Sequence, residues 1–436
     1  MAGPFRTSPP TGPKWAVQRL QIATDRRTLA LEDGSPFFWQ ADTAWELLHH
    51  ATRPEILRYL DVRAEQGFNV VQTVFVSELE GPFVPNAEGN LPLADLDDPA
   101  PSEGYLDLLR FVLDEAEARG IRVALLPTWG SWAHEENHPL FRNRRIFNEG
   151  NAETYARRLA EALGDRPNVV YVLGGDRDPK AAPDVWRAMA RGIRSVVGDR
   201  CLITYHPYGP CTSSDPFHWE DWLDFNMVQT GHTREADPSD WVRRDWRLDP
   251  PKPVIDGEPA YENIPDRLDT RNELLSDADV RRHWHAAVFA GSAGITYGCN
   301  SVWSIWDPKW EPISEVVPPP FLGADRTWLE ALRLPGAGQV RWLQGLFASR
   351  SLIGRRPEPL IGGRLALHGD EPKPWTLVWV PFGGEVRLTA RFDPSRLAWH
   401  DPRTGEQLPA ENLGPSDRRI RVQAPDDRDW VLCLDA

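Results

Sequence analysis

Cysteine is scarce in this sequence, and its four cysteines stand without a C-x-x-C pair or a metal-ligand spacing. Only Cys201 and Cys211 are close along the chain, and we expect them to be free thiols rather than a disulfide. Long apolar runs are also missing, since no window approaches the roughly 18 apolar residues of a membrane-spanning helix. Residues 1–14 lack the apolar segment of a secretory signal. A cytoplasmic protein is therefore expected.

Positive charge is in deficit, because 49 Lys and Arg residues face 64 Asp and Glu residues, for a net charge of −15. No block rich in Lys or Arg interrupts this acidic balance. Long-range electrostatics therefore disfavour nucleic acid, anionic membranes and strongly anionic polysaccharides as partners. The composition, 41% hydrophobic and 26% charged, is otherwise typical of a folded globular protein.

Strand-like and helix-like segments alternate through the first three quarters of the chain, which favours a parallel sheet. The helix-like segments include an amphipathic stretch at 105–119 that Gly120 terminates. Eight strand candidates with intervening helices predict an α/β fold of the (β/α)₈ TIM barrel type. An open doubly wound sheet is the alternative, but no Gly-rich phosphate motif follows the first strand. The strand candidates are 36–41, 69–75, 121–127, 169–174, 201–205, 225–229, 253–257 and 295–298.

The pattern changes near Ala348, where the helical period ends and short alternating runs separated by Gly, Pro and Asp begin. Such runs predict a small antiparallel β-sandwich domain. Two domains also suit a chain of 436 residues, which exceeds the usual size of a single core. We therefore expect a flexible lead-in over residues 1–18, a catalytic barrel over 19–348 and a β-sandwich over 349–436.

Two carboxylates follow apolar runs near the middle of the chain. Asp176 follows the run 169–175, and Glu258 closes the run 253–258. Apolar runs that end in glycine and then an acid are typical of barrel strands that present a charged group at the mouth. Two acids from different strands can hydrolyse a glycosidic bond, one as proton donor and one as nucleophile. For either acid alone, a helix N-cap or a loop ion pair is the alternative.

Aromatic residues are plentiful, and several of the twenty tryptophans fall at predicted strand ends. A flat ring can pack against the C–H face of a sugar, so Trp45, Trp129 and Trp303 are candidates for substrate contact. Most of the other rings are expected in the core. Arg177 directly follows Asp176 and could hold a neighbouring acid ionised by charge pairing.

Polar residues at three other strand ends complete the candidate site. Tyr205 and His206 end the fifth strand, where a histidine can bind a substrate hydroxyl or hold a catalytic carboxylate; a loop histidine bonded to backbone is the alternative. Asp42, just past the first strand, is placed to accept hydrogen bonds from sugar hydroxyls. Tyr297 ends the eighth strand and could donate to the nucleophile.

Motifs for other chemistries are not present in the sequence. The pair His49–His50 and the histidines of 283–285 do not have metal-ligand spacing and do not form H-E-x-x-H. The run 290–294 resembles a nucleophile elbow, but that motif needs a strand before a helix, and here the predicted order is reversed. Neither a metal nor an organic cofactor is expected.

Several stretches together resemble the apiosidase-like glycoside hydrolases, glycoside hydrolase family 140, formerly domain of unknown function 4038. They occur in the family's order and span nearly all of the predicted barrel, and one of them contains Gln229 and His232, which we expect to bind substrate. The segment 399–405 is similar to the small β domain that often follows, whose collagen-binding label does not identify its ligand. The matching barrel stretches are 38–47, 67–72, 167–177, 204–207, 224–232, 256–259 and 296–298.

This resemblance implies a (β/α)₈ domain that cleaves terminal apiose, a branched pentofuranose, with Asp176 as general acid/base and Glu258 as nucleophile. We therefore expect a retaining exo-glycosidase acting on small or oligomeric glycosides, with β-D-apiosyl glycosides as substrates. Another pentofuranoside or pyranoside specificity and a non-catalytic carbohydrate-binding barrel are the alternatives. The acidic segment 77–101 has no clear match in the family. The oligomeric state is not predicted.

Overall fold

The computed structural model describes residues 17–79, 81–134, 145–311, 319–360, 362–414 and 418–436. Residues 1–16 of the expected lead-in lie outside this part of the chain. The described chain begins with a small antiparallel sheet of three strands, Leu20–Ile22, Leu29–Leu31 and Pro36–Phe37. This sheet precedes the barrel.

Eight strands of the described chain form the barrel, and the residues of all eight are buried. Their apolar runs are typical of parallel strands covered on both faces. A parallel sheet in the order β8-β1-β2-β3-β4-β5 is completed by the parallel pair β6-β7, so the predicted (β/α)₈ barrel is confirmed. The strands are β1 Trp39–Thr43, β2 Val70–Val74, β3 Arg122–Leu126, β4 Val169–Gly174, β5 Ile203–His206, β6 Asn226–Gln229, β7 Val254–Glu258 and β8 Gly294–Tyr297.

Two pairs of neighbouring strands in the described chain, β5–β6 and β7–β8, are not joined by a continuous ladder of backbone hydrogen bonds. We call these two places the seams of the barrel. Single backbone hydrogen bonds cross the seams instead. Asp224 donates to Ile203 across the first at 2.9 Å, and Ala293 donates to Val254 across the second at 2.7 Å. A two-residue strand, Cys211–Thr212, pairs antiparallel with β6 beside the first seam.

Helices cover the outside of the barrel and follow local sequence signals. The helix Arg53–Gln66 shows this well. Thr52 and Glu55 form a reciprocal capping box at its start, and Gly67, at φ +93°, ends it in the left-handed region. The α-helices are α1 Leu47–His50, α2 Arg53–Gln66, α3 Glu103–Ala118, α4 Ala152–Leu163, α5 Pro183–Val197, α6 Ser214–Phe217, α7 Pro238–Trp246, α8 Asp277–Phe289, α9 Asn300–Trp303, α10 Trp328–Ala331 and α11 Pro335–Gly345. Short 3₁₀ turns are Gly130–Ala133, Gly198–Arg200, Asp266–Leu268, Pro308–Trp310 and Phe321–Gly323.

The C-terminal part is an antiparallel β-sandwich, as predicted. One sheet has the order β9-β10-β11-β16-β13-β14, and the second pairs β12 with β15. The strands are β9 Arg356–Pro359, β10 Leu365–Gly369, β11 Trp375–Val380, β12 Glu385–Thr389, β13 Arg396–His400, β14 Gln407–Pro409, β15 Arg419–Gln423 and β16 Trp430–Asp435.

Strand β11 joins the two parts of the molecule because its side chains alternate between two cores. Leu377 and Trp379 belong to the large hydrophobic core that also contains the barrel. Val378 and Val380 belong to the smaller core between the two sheets of the sandwich. The sandwich therefore covers apolar surface of the barrel.

Polar contacts reinforce this junction. Arg281 on α8 makes two hydrogen bonds to Asp429, from Nε at 2.5 Å and from Nη2 at 2.9 Å, and both side chains are nearly sealed from solvent. The His285 ring on the same helix stacks on Trp379, with centroids 4.3 Å apart. Paired and buried charges of this kind fix the relative position of two surfaces, because either charge alone would be costly to bury.

All four cysteines are free and buried, which confirms the expectation for Cys201 and Cys211. Among the described residues, every helix is too short or too polar to cross a bilayer.

Candidate active site

A cavity of about 360 Å³ opens at the C-terminal end of the barrel strands. Active sites of (β/α)₈ barrels lie at this face, because the loops after the strands converge there. Both predicted catalytic carboxyls, Asp176 and Glu258, contribute to its wall. The lining residues are Trp45, Glu78, Leu79, Trp129, Asp176, Arg177, Tyr208, Gly209, Gln229, Gly231, His232, Glu258, Tyr261, Ile264, Leu268, Trp303, Phe321 and Leu322.

The chain turns sharply after β4 to bring Asp176 into the cavity. Gly174 and Gly175 have φ values of +85° and +118°, and Asp176 itself lies at +45°. A side chain at Gly175 would approach the Trp129 ring to 2.7 Å, so the turn needs glycine for space as well as for conformation. A non-glycine residue in the left-handed region costs free energy and is common at functional sites.

The environment of Asp176 favours its protonated form. Burial and the charge of Glu258 raise the pKa of Asp176 to about 6, while His206, a hydrogen bond from Gln229 and His232 act in the opposite direction. Its Oδ1 atom is buried and has no hydrogen-bond partner among the described residues. A carboxyl that keeps its proton near neutral pH can act as a general acid.

Glu258, at the end of β7, has the opposite electrostatic character. Its Oε1 lies 3.0 Å from Nε2 of His232, and its Oε2 lies 3.2 Å from Nε2 of His206. Burial alone would raise the pKa of Glu258, but these two imidazoles lower it to about 2. Although burial disfavours the imidazolium, the pKa of His206 is raised because Glu258 and Asp176 stabilise its charged form. Glu258 is therefore held as a carboxylate.

The two carboxyls lie close together. One oxygen of Asp176, one oxygen of Glu258 and a ring nitrogen of His206 are all within 4.8 Å of one another. A register shift between Val228 and Gln229 sets Gln229 opposite Glu258 in the β6–β7 pair. Gln229 thereby stands beside the carboxyl pair and reaches Asp176.

Aromatic rings form one wall of the cavity. The rings of Trp45 and Trp129 meet at 63° with centroids 5.2 Å apart, and the ring of His206 meets Trp45 edge-on at 5.3 Å. The ring of Tyr261, which also lines the cavity, lies 4.4 Å from that of His232. Flat apolar surface next to polar groups suits a sugar ring, which has both kinds of surface.

The structure places most of the predicted site residues together. His206 is not one of the lining residues, but its Nε2 lies 3.2 Å from Oε2 of Glu258. Tyr205 is one layer further out, where its hydroxyl donates to the Arg177 carbonyl at 3.2 Å and its ring packs on Trp186. The predicted residues that do line the cavity are Trp45, Trp129, Asp176, Arg177, Gln229, His232, Glu258 and Trp303.

Asp42 and Tyr297 were expected at the substrate site, and the structure corrects both positions. Asp42 lies inside β1 rather than after it, fully buried, and accepts hydrogen bonds from Arg63 Nε at 2.6 Å and the Tyr59 hydroxyl at 2.5 Å. Tyr297 donates to Glu262 at 2.6 Å and not to Glu258. Both side chains leave the barrel on its outer face, towards the helices, because successive strand residues point in opposite directions.

Other cavity residues have weaker signals in the sequence. Glu78 stands four residues after the end of β2, and the rule that identified Asp176, an acid shortly after an apolar run, applies to it as well. Tyr261 follows Glu258 by three residues. Leu268 and Leu322 come from loops distant in sequence and have no distinctive pattern, so only the folded chain reveals them.

Among the residues that the structure describes, two groups of side chains have geometry that could hold a metal ion. One consists of Asp176, His206 and Glu258, where the direct contact between His206 and Glu258 would have to open to admit an ion. The other brings Glu46 together with His49 and His50 at α1. The sequence showed only the histidine pair, because the contribution of Glu46 depends on the turn of the chain before the helix.

Comparison with known proteins agrees with this architecture. The family model described as the apiosidase-like catalytic domain matches residues 23–353. No curated protein matches the chain significantly.

Solved structures extend the likeness to the whole chain. A glycoside hydrolase family 5 protein from Bacteroides vulgatus is 28% identical with a TM-score of 0.85, and the alignment covers 97% of this chain and 94% of that one. A structure described as a glycoside hydrolase is also 28% identical, with a TM-score of 0.84 and coverage of 97% and 98%. The chain belongs to the apiosidase-like family of glycoside hydrolases.

Proposed function

We propose that the protein is a retaining exo-glycosidase that removes terminal furanosyl groups, with β-D-apiosyl glycosides as its substrates. The observation that carries this proposal is the proximity of two carboxyls of opposite character, with oxygens of Asp176 and Glu258 within 4.8 Å of each other. Retaining glycosidases hold their carboxyls about 5–5.5 Å apart, whereas inverting enzymes need about 6.5–9.5 Å to admit a water molecule. The short separation supports the retaining mechanism.

In the first step, a Glu258 carboxylate oxygen attacks the anomeric carbon while the bond from that carbon to the leaving oxygen breaks. Asp176 transfers its proton to the leaving oxygen, which departs as an alcohol. The raised pKa of Asp176 and the lowered pKa of Glu258 provide the protonation states that this step needs. The product is a glycosyl ester on Glu258.

In the second step, water hydrolyses the glycosyl ester. The Asp176 carboxylate accepts a proton from water as the water oxygen bonds to the anomeric carbon, and the ester bond to Glu258 breaks. Asp176 is then protonated again and Glu258 is again a carboxylate stabilised by His206 and His232. Two displacements on one carbon return the original anomeric configuration.

The cavity volume and the charge of the chain favour a small neutral substrate. About 360 Å³ is at the lower end of the roughly 300–1,000 Å³ typical of ligand pockets, which suits a terminal sugar and part of its leaving group. The net charge of −15 disfavours a polyanionic substrate. The choice of apiose rests on the family to which the chain belongs.

A panel of glycosides tests this proposal. Aryl β-D-apiosides, aryl arabinofuranosides, aryl pyranosides and disaccharides are incubated with the enzyme, and the released sugar is identified by chromatography. We expect release of apiose from the apiosides. Release of a different sugar would correct the specificity, activity on polymers alone would contradict exo-action, and sugar binding without hydrolysis would indicate a binding protein.

A further inference from the structure

The loop after β2 carries Glu78 into the cavity in a fixed position. Glu46 stabilises this loop, since its Oε1 accepts a hydrogen bond from the Leu79 amide at 3.4 Å. Trp132 also stabilises the loop, because its indole Nε1 donates to the Ser77 carbonyl at 2.7 Å. The backbone is therefore held by hydrogen bonds on both sides of Glu78.

Backbone hydrogen bonds connect this loop to the one that carries Asp176. The Trp129 amide donates to the Val76 carbonyl at 3.0 Å, and the Gly130 amide donates to the Gly175 carbonyl at 3.1 Å. The loops after β2, β3 and β4 thus form one continuous side of the rim. Glu258, on β7, belongs to the other part of the barrel, which the parallel pair β6-β7 forms. Glu78 consequently lies on the Asp176 side of the cavity.

The Glu78 carboxyl is available to a ligand. Among the described residues, none donates a hydrogen bond to it, although it lines the cavity. Burial raises its pKa well above the ordinary value, and Asp176 has the largest effect of the charged neighbours, ahead of Arg177, Glu46 and Glu258. A protonated carboxyl has one hydroxyl donor and one carbonyl acceptor, which matches a sugar hydroxyl that both donates and accepts.

We propose that Glu78 hydrogen-bonds a hydroxyl of the leaving group and so selects glycosides whose leaving group is itself a sugar or another polyol. This inference rests on the proposed function, in which Asp176 stands beside the leaving oxygen. A carboxyl on the Asp176 side of the rim then faces the group that departs rather than the sugar that Glu258 captures. Glu78 is a specificity residue in this scheme, and the bond-breaking steps are those given above.

The test compares two poor leaving groups that differ in hydroxyls. The wild type and the variants Glu78→Ala, Glu78→Met and Glu78→Gln are assayed on a disaccharide and on the cyclohexyl glycoside of the same terminal sugar. Both substrates need acid assistance from Asp176, but only the disaccharide offers hydroxyls to Glu78. Loss of a hydrogen bond between the cavity and the substrate lowers kcat/KM by roughly 10- to 100-fold.

We expect Glu78→Ala and Glu78→Met to lose about that factor on the disaccharide and less than about 3-fold on the cyclohexyl glycoside, and Glu78→Gln to retain the preference. Methionine fills the space of glutamate, so the test survives if the alanine variant fails to fold. Glu103→Ala, an exposed change on α3, is the control and leaves both rates unchanged. Equal losses on both substrates, or no loss on either, would overturn the role of Glu78 while leaving the glycosidase proposal intact. A wild type that cleaves no glycoside would overturn both.

Discussion

Nε2 of His232 lies 3.0 Å from Oε1 of Glu258, and this contact separates the proton affinities of the two carboxyls in the cavity. With His206 on the other oxygen, it lowers the pKa of Glu258 to about 2, whereas burial and Glu258 raise the pKa of Asp176 to about 6. The two groups have ordinary pKa values within about half a unit of each other in water. Their different roles therefore come from the surroundings that the barrel provides.

Removal of the proton donor should affect poor leaving groups most. Asp176→Ala is expected to lower kcat by roughly 10²- to 10⁴-fold on an alkyl glycoside, the range typical of general acid catalysis, and far less in the first step on a dinitrophenyl glycoside. The measurement is kcat on the alkyl glycoside together with kcat/KM across a series of leaving groups, since kcat/KM reports the first step. Glu258→Ala is the comparison, since it should abolish turnover for every leaving group. Equal losses for good and poor leaving groups in Asp176→Ala would refute the acid role.

The pH profile should report both carboxyls. Activity needs Asp176 protonated and Glu258 ionised, so kcat/KM should fall as pH rises above about 6 and should persist into acid until Glu258 is protonated. His232→Gln removes one of the two imidazole partners of Glu258 and should move the acidic limb upward by roughly one pH unit. Because His232 also lowers the pKa of Asp176, the alkaline limb should move upward as well. An acidic limb that does not move in this variant would show that His232 does not stabilise the carboxylate.

The raised pKa of Asp176 should also make the fold less stable at neutral pH than in mild acid. Its folded pKa of about 6 exceeds the ordinary 3.8, so its contribution to stability is complete below about 3.8 and is lost as pH rises through about 6. Asp176→Asn removes this dependence. It should raise Tm by roughly 1–3 °C at pH 8 and by less at pH 4. Differential scanning calorimetry at both pH values makes the comparison. A gain that is the same at both would contradict a folded-state pKa near 6.

The β-sandwich should be required for a stable barrel. Chains ending after Ser349 would expose Phe289 and other apolar surface that Trp379 and its neighbours cover, so we expect insoluble protein. A soluble and active truncation would refute this role.

A point mutation tests the same junction more gently. Asp429→Asn removes one of the two carboxylates that pair with Arg281, leaving Asp277 at 3.0 Å, and should lower the free energy of unfolding by roughly 2 kcal/mol. The exposed neighbour Asp427→Asn is the matched control. Chemical denaturation of both variants provides the comparison, and equal stabilities would show that the buried pair does not hold the domains together.

The sequence predicted the elements whose signals are local. Strand β4 has the predicted bounds, and helix α3 covers all but the last residue of the predicted stretch 105–119, because a continuous β-branched run and an amphipathic repeat that ends at a glycine are sufficient for such elements. Asp42 was misplaced because strand ends are uncertain by one or two residues, and a shift of one residue moves a side chain to the opposite face. The contact of His206 with Glu258 is one of the two roles that the sequence left open for this histidine. The direction of Glu78 into the cavity depends on contacts between distant strands, which the sequence pattern does not contain.

The configuration of the released sugar tests the central claim most directly. Proton NMR during the first turnovers of an aryl β-apioside resolves the anomer that the enzyme forms before it equilibrates in solution. Double displacement on Glu258 predicts that the β-anomer appears first. First appearance of the α-anomer would mean a single displacement by water and would contradict a nucleophilic Glu258.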